Sequence, residues 1–304
     1  MGLSSMRKES LPIERSRLGA FTRRAKAVLK EVFSNNKLKV GFIMLVVIAL
    51  MGVVGRRMLP YDPLAAGIFM IDQPPNPKHI LGTDSLGRDI FAQLLLGIEN
   101  SLTIGFIVAI IGTVVGSTIG FVAGYYGGIV DAVLRSITDI FLVIPMLPLL
   151  ILISSFVRVV DIWMMAMILS IFAWAWPARQ IRAQVLSLKE RDFVYMAKLS
   201  GMGSMEIIFI ELMPHMFQWM GANFFNSVVW AILTEAGVEF LGLGPQNTMT
   251  LGMILYWAMY HAAVFRGMWW WWVPPIIMIV LIAVSLYLIH IGLDEIVNPR
   301  LRRL

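Results

Sequence analysis

Six apolar runs of about 20 residues divide the chain, and polar segments separate them. A run of this length is what an α-helix needs to cross the hydrocarbon core of a bilayer. The pattern therefore predicts an all-α, polytopic membrane protein with six transmembrane helices. The predicted spans are residues 38–58, 101–125, 139–157, 162–181, 217–241 and 273–292.

The polar segments predict how the rest of the chain is organised. A basic tail (1–37) precedes the first helix (38–58), and an outer loop (59–98) leads into a five-helix core (99–292), which is followed by a short tail (293–304). The basic start is too long for a cleaved signal peptide, so we expect it to be retained. The sequence leaves open whether residues 1–36 form an amphipathic helix or stay partly disordered.

Composition and charge agree with this class and orient the chain. Hydrophobic residues make up 58% and charged residues 14%, whereas a soluble domain has about 25% charged residues. Of the 25 Lys and Arg, 19 fall on the side of the membrane that holds both predicted tails. The positive-inside rule then predicts that both termini lie in the cytoplasm. We expect the protein to be a multi-pass component of the cell (plasma or inner) membrane.

The same composition argues against several other functions. The net charge of +6 is explained by the basic residues that orient the chain in the membrane and contact anionic lipid. No basic patch is interleaved with stacking aromatics, so we expect no nucleic-acid partner. The absence of cysteine excludes disulfides and cysteine-ligated metals. His290 and Asp294 are four residues apart but do not make a metal site by themselves, and we expect neither a metal nor a catalytic centre.

The outer loop predicts a short helix at the membrane surface. Its first part is rich in proline, and the segment 81–97 then reads LGTDSLGRDIFAQLLLG. Thr83, Asp84 or Ser85 would cap a helix here. One face would be apolar and the other polar, as in an amphipathic helix lying on a membrane. Its candidate functional residues are Asp84, Gly87, Arg88 and Asp89.

Glycines recur through the second predicted span, at Gly105, Gly112, Gly116, Gly120 and Gly124. Such spacing lets helix backbones approach closely in lipid. The alternative is that glycine is simply common in spans, and we favour close packing.

The segment 179–214 is the largest polar stretch between two spans, and positive-inside orientation places it in the cytoplasm. Residues 191–199 follow a helical pattern, which Gly201 and Gly203 interrupt. Ser204 would cap a second short helix that ends before Pro214. Two interpretations remain open: a compact knob that a soluble partner grips, and an amphipathic loop on lipid headgroups.

This segment resembles the "EAA" loop of ABC-importer permeases. Tyr195-Met196-Ala197 is followed after three residues by Gly201 and then by Glu211-Leu212-Met213-Pro214, with Tyr195 where the family has Glu. The resemblance implies that the loop 186–214 contains a coupling helix that docks into an ATPase subunit. The residues it implies for this contact are Tyr195, Met196, Ala197, Gly201, Ser204 and Pro214.

Other segments are similar to the dipeptide/oligopeptide branch of these permeases. They are residues 79–89, 124–128 with Asp131, 138–139 with Pro145, 235–236 with 240–244, and 298–300. The resemblance implies the type I ABC importer fold, and the branch carries peptides, oligosaccharides or nickel. Three places depart from the pattern, which leaves the solute open: residues 287–294, Glu239, and the run of four tryptophans at 269–272.

The resemblance also implies the partners. They are a homologous second permease forming a heterodimer, two ABC ATPase subunits and an extracytoplasmic solute-binding protein. No G-x-x-x-x-G-K-[ST] phosphate loop occurs in the chain, so ATP and Mg would be bound by the ATPases and no cofactor by this chain. The rival classes are an ATP-independent secondary transporter, which would carry inverted repeats, and an intramembrane enzyme.

Ionisable groups inside a span usually serve function. Glu235 and Glu239 lie one helical turn apart, and we expect them to line or gate the translocation pathway rather than contact water at the interface. Asp139 is expected at the start of span three, where a helix N-terminus favours a carboxylate. The four tryptophans favour an aromatic belt at the outer surface over a sugar-stacking site.

Overall fold

The computed structural model describes residues 35–156 and 160–297, and most of this part of the chain is helical. The N-terminal tail before residue 35, Arg158 and the segment 298–304 lie outside the described residues. The helices are α1 (Asn36–Arg57), α2 (Ile90–Tyr126), α3 (Gly128–Val143), α4 (Met146–Phe156), α5 (Ile162–Ala173), α6 (Ala175–Leu188), α7 (Asp192–Leu199), α8 (Ser204–Glu206), α9 (Met213–Phe240), α10 (Leu251–Tyr260) and α11 (Trp269–Val297), with a π-helical segment at Ile207–Leu212.

Four helical stretches of the described chain are long and apolar enough to cross a membrane: α1, α2, the α5–α6 pair and α11. The pair α3–α4, bent by 83°, would make a fifth. These stretches agree with a multi-pass membrane protein. Helix α9 has 28 residues, about 42 Å at 1.5 Å per residue, and so is long enough. Its polar residues keep it out of this apolar set, so the total of six spans stays a prediction.

The third predicted span, residues 139–157, was wrong in its bounds. Helix α3 begins at Gly128, because Asp131 and Arg135 interrupt the apolar run without interrupting the helix. It ends where Pro145 forces the preceding Ile144 into an extended conformation (φ −60°, ψ 127°), and α4 then leaves in a new direction. Asp139 therefore lies near the end of α3 and not at a helix start, with one oxygen 3.5 Å from Arg135 Nε.

The predicted amphipathic helix at residues 84–96 was also wrong. Helix α2 runs unbroken for 37 residues from Ile90, and Asp89 is its N-cap, accepting a 2.9 Å hydrogen bond from the Ala92 amide. Ile90 and Leu94 are buried in the protein core instead of facing lipid. The outer loop thus ends at Asp89, and no helix interrupts it in residues 59–89.

Helix α2 is the centre of the bundle and packs against α1, α3, α5, α6, α9, α10 and α11. Its glycines permit this, which confirms the close-packing interpretation. A Cβ on Gly116 would lie 2.6 Å from the Trp174 carbonyl oxygen, and one on Gly120 would lie 2.7 Å from that of Ala178. Gly105, Gly112 and Gly124 are equally crowded by α9 and by the α5–α6 pair.

The four tryptophans at the start of α11 do not form a simple surface belt. Trp271 is fully buried in the core, while Trp269 is about half exposed. The Trp270 Nε1 donates to the Thr83 carbonyl at 3.4 Å. The run therefore fixes the outer loop to α11, a role that hydropathy alone does not indicate.

Candidate functional site

The inner loop (residues 186–214) folds as a compact knob anchored by its own apolar core. Val194, Ile207 and Leu212 are almost completely buried and pack with Phe121 of α2 and Ile181 of α6. The knob is therefore held by α2 and by α6, the helix that leads into it. This packing favours the knob over a loop spread on lipid headgroups.

Gly201 turns the chain between the two parts of the knob. Its φ of +79° lies in the left-handed region that side chains disfavour, although a Cβ there would meet nothing within 4 Å. The Gly201 amide donates to the Lys198 carbonyl at 3.0 Å, and the Met202 amide to that of Ala197 at 3.2 Å. Gly203, by contrast, has φ −70° and is the N-cap of α8.

The second half of the knob differs from the prediction. Ser204 is the first residue of α8 and not its cap, and the Gly203 amide is satisfied by Glu206 Oε2 at 3.3 Å. The helix does not end before Pro214. Since proline has no N–H to donate, the backbone switches to π-helical hydrogen bonding over Ile207–Leu212 and continues directly into α9.

The residues predicted to contact the ATPase divide into outward and inward groups. Tyr195 and Met196 are 48% and 62% exposed, whereas Ala197 is buried and faces the knob core. Sequence reasoning missed Leu199, the most exposed apolar side chain of α7 at 81%. The other exposed apolar side chains of the knob are Met205, Phe209 and Ile210.

The tyrosine that stands in place of the family's Glu is oriented by a carboxylate. The Tyr195 hydroxyl donates to Glu190 Oε2 at 2.8 Å, and Lys198 Nζ lies 5.6 Å from the centre of its ring. The hydrogen bond to Glu190, with the negative charge of that carboxylate, raises the pKa of Tyr195. The hydroxyl thus stays a neutral donor at the exposed edge of the knob.

The four predicted residues of the outer loop lie together in one buried cluster. The Asp84 carboxylate, fully buried, accepts from the Arg88 Nε at 2.7 Å and from Gln93 Nε2 at 2.9 Å. Asp89 pairs with the His79 ring at 2.7 Å. Gly87 adopts φ +70°, where a Cβ would lie 2.4 Å from the Phe69 carbonyl oxygen. These residues stabilise the loop from within.

A second tie joins the outer loop to the segment before α11. Asp72 accepts from Ser85 Oγ at 2.6 Å and pairs with Arg266, whose other nitrogen donates to Ser85 at 2.9 Å. Partial burial acts to raise the pKa of Asp72. The hydrogen bonds from Ser85 and Arg266 and the positive charge of Arg266 outweigh it, so the pKa of Asp72 is lowered.

Glu235 and Glu239 are both fully buried. Ser101 Oγ of α2 donates to Glu235 at 3.0 Å, and Thr250, the N-cap of α10, donates to Glu239. The two carboxyl groups therefore tie α9 to α2 and α10. In this conformation neither contacts water at the interface, and neither borders the cavities described below.

An ion pair between α3 and α6 was not singled out from the sequence. Arg182 meets Asp131 with two hydrogen bonds, one of them 2.6 Å from Nη2 to Oδ2. Arg182 borders a cavity of about 290 Å³ that Arg135, Arg179 and Asp139 also line. Over residues 35–156 and 160–297, no three His, Asp or Glu side chains are placed to share a metal ion.

Comparison with known proteins identifies relatives over most of the chain. Residues 116–303 match the family described as binding-protein-dependent transport system inner membrane component. The oligopeptide transport system permease protein OppC of Mycobacterium bovis is 30% identical over 81% of this chain and 84% of its own length. OppC of Bacillus subtilis is 30% identical over 70% of each chain, and a putative peptide permease protein of Brucella suis is 29% identical over 80% of each.

Proposed function

The chain belongs to the family of binding-protein-dependent transport system inner membrane components, and from this premise we propose that it carries oligopeptides through the membrane. It is the permease subunit of an ABC importer, a transport component and not an enzyme. The oligopeptide cargo is supported by the names of the relatives, which are peptide permeases. Oligosaccharides and nickel are the less favoured cargoes.

The knob carries our proposal for how ATP drives this permease. An anchored apolar core beneath an exposed apolar surface is what a docking site for a soluble protein requires. We assign the contact with the ATPase to Tyr195, Met196 and Leu199, with Gly201 and the Ser204–Pro214 stretch fixing their position. Ala197 acts from inside the knob.

The proposed partners follow from the family. Two ABC ATPase subunits would bind ATP and Mg, a homologous second permease would form a heterodimer with this chain, and an extracytoplasmic solute-binding protein would deliver the peptide. The outer loop, internally braced, would face the binding protein or the second permease. Both termini would be cytoplasmic, and α9 would be the sixth crossing.

The continuity of the helix through Pro214 suggests a route for force. Because the π-helical segment joins the knob to α9 without a loop, a displacement of the knob moves the whole of α9. At the outer end of α9, Glu235 and Glu239 hold that helix to α2 and α10. We assign these carboxyl groups to a gate that changes partners when the pathway opens outward.

The test is ATP-dependent peptide uptake by the whole importer in proteoliposomes. We expect uptake to require the ATPases, and Leu199→Ser to weaken ATPase retention about tenfold or more, since a buried leucine contributes about 1.5–3 kcal/mol and 1.4 kcal/mol is tenfold. The matched control is Leu241→Ser, which alters a leucine of 55% exposure beyond the other end of α9. Uptake that persists without any ATPase would contradict the proposal.

A further inference from the structure

A cavity of about 380 Å³ lies among α3, α4, α5, α6 and α9. Its volume falls within the ~300–1,000 Å³ typical of ligand pockets. Aromatic and small polar side chains line it, chiefly Phe141, Phe172, Trp176, Asn226, Ser227 and Trp230. Trp176 is half exposed, so the cavity opens at the surface of this chain.

The cavity lies where two apolar helices are interrupted. Pro145 separates α3 from α4 at the 83° bend. Pro177 cannot donate to the Ala173 carbonyl, and α5 gives way to α6 at Trp174. Interrupted helices are tolerated at membrane depth where the freed backbone is buried in protein or lines a water-filled cavity. In transporters such breaks mark the solute site.

Asn226 supplies a polar group at the same depth. It lies near the middle of α9, its side chain is exposed, and no hydrogen bond from another described side chain or backbone group reaches its amide. An amide facing hydrocarbon without a partner would cost several kcal/mol. Its place on the cavity wall therefore indicates a water-filled space and a ligand with hydrogen-bonding groups.

The lining determines what kind of ligand fits. No charged side chain borders the cavity, so nothing there reads the charge of the cargo or replaces the water around a divalent cation. Aromatic faces and a single amide suit a backbone of neutral amides with varied side chains, because a hydrogen bond to the main chain does not depend on side-chain identity and flat apolar rings accept many side chains in contact.

We propose that this cavity is the part of the translocation pathway that this chain contributes, with Asn226 hydrogen-bonding the peptide main chain and Trp176, Trp230 and Phe141 packing against its side chains. The inference rests on the proposed function and deepens it. It places the solute-contacting residues at the helix breaks, with Asn226 about two and a half turns before Glu235 on α9, and predicts carriage with little dependence on peptide sequence.

The natural chain has no cysteine, so single-cysteine variants report on one position each. We would place Asn226→Cys and, as control, Val47→Cys in the complete importer in proteoliposomes; Val47 is 57% exposed near the middle of α1. A water-soluble maleimide should label residue 226 and not residue 47, and a transported tetrapeptide with binding protein should slow labelling at 226 at least threefold. After denaturation in sodium dodecyl sulfate, the same maleimide should label both residues, because both thiols then meet water and ionise.

A second measurement tests the proposal independently, in case Asn226→Cys labels poorly because it misfolds. Asn226→Ala should lower peptide uptake at least tenfold while the ATPase stays bound to the complex. If residue 226 resists the water-soluble reagent, or if the peptide leaves its labelling unchanged and Asn226→Ala transports normally, the cavity is not the pathway, although the importer function stands. If the unaltered complex takes up no peptide with ATP, the proposed function itself fails.

Discussion

The outer loop and the inner knob are both polar segments between spans, yet different forces stabilise them. The outer loop is organised around buried polar groups: Thr83 and Asp84 are fully buried and Arg88 nearly so. The knob is organised around buried aliphatic groups such as Val194 and Leu212. A buried ion pair demands one geometry, whereas an aliphatic core tolerates small displacements. We therefore expect the outer loop to act as a fixed scaffold and the knob to move as a unit with its helices.

Removing the charge of Asp84 should have the largest effect. Asp84→Asn leaves the Arg88 guanidinium buried without its counter-charge, which costs about 3–5 kcal/mol. Asp62→Asn is the matched control, because Asp62 is exposed in the same loop and only caps the Leu64 amide. Thermal unfolding of the detergent-solubilised complex checks this. Equal stability of the two variants would show that the buried cluster does not hold the loop.

Truncating the knob core should have the next largest effect. Leu212→Ala removes a fully buried side chain and should destabilise the knob by about 2–5 kcal/mol, whereas Phe209→Ala, at a 56% exposed position, should leave its stability nearly unchanged. Hydrogen exchange of residues 192–212 in the complex reads this directly. Faster exchange in Phe209→Ala than in Leu212→Ala would show that Phe209, and not Leu212, belongs to the core of the knob.

The turn at Gly201 should respond to a single methyl group. Gly201→Ala must place a side chain at φ +79°, at a cost of about 1–2 kcal/mol, while Gly203→Ala meets neither a conformational nor a steric barrier. We expect weaker ATPase retention only for Gly201→Ala, measured by co-purification. A similar loss of ATPase retention in both variants would mean that any added methyl group near the turn weakens the contact with the ATPase, whatever the backbone conformation at Gly201.

Acid should loosen the outer loop slightly through Asp72. Because its folded-state pKa is lowered, the tie to Arg266 contributes stability above the unfolded pKa of about 4, and that stability is lost as pH falls through the folded value. Proteolysis of residues 67–89 at pH 7 and near pH 3, by an acid-active and a neutral protease, tests this. Arg266→Gln should remove most of the difference, and an unchanged difference would assign the acid response to another group.

Helix existence was readable from the sequence where the apolar run was long, as in α1 and α11. The prediction of helix bounds failed where apolar side chains pack against other parts of the protein and not against lipid. Ile90 and Leu94 belong to α2 because core contacts bury them, and the Asp84 carboxylate accepts from the Leu86 and Arg88 amides in a turn, so that Asp89 and not Asp84 caps the helix. The π-helical join at Pro214 depends on backbone hydrogen bonds that a sequence pattern does not display.

Candidate site residues, whose roles stay predictions, could be proposed from the sequence to the extent that they carry local signals. Gly201 was predictable because glycine interrupts a helical pattern, and Glu235 and Glu239 because carboxylates are rare in spans. Asn226 was not, since a lone amide in a helix gives little signal. Pro145 and Pro177 within apolar runs were the available clue to the cavity, because both mark helix breaks at one depth.

We propose that the knob, and not the outer loop, contacts the ATPase. In the cysteine-free chain, Leu199→Cys (81% exposed) and Ile80→Cys (64% exposed) place a thiol on the knob and on the outer loop. A short thiol-to-amine crosslinker applied to the complete complex should join the chain to an ATPase subunit from residue 199 and never from residue 80. Crosslinking from residue 80, or none from residue 199 while the ATPase remains bound, would show that the knob is not the contact.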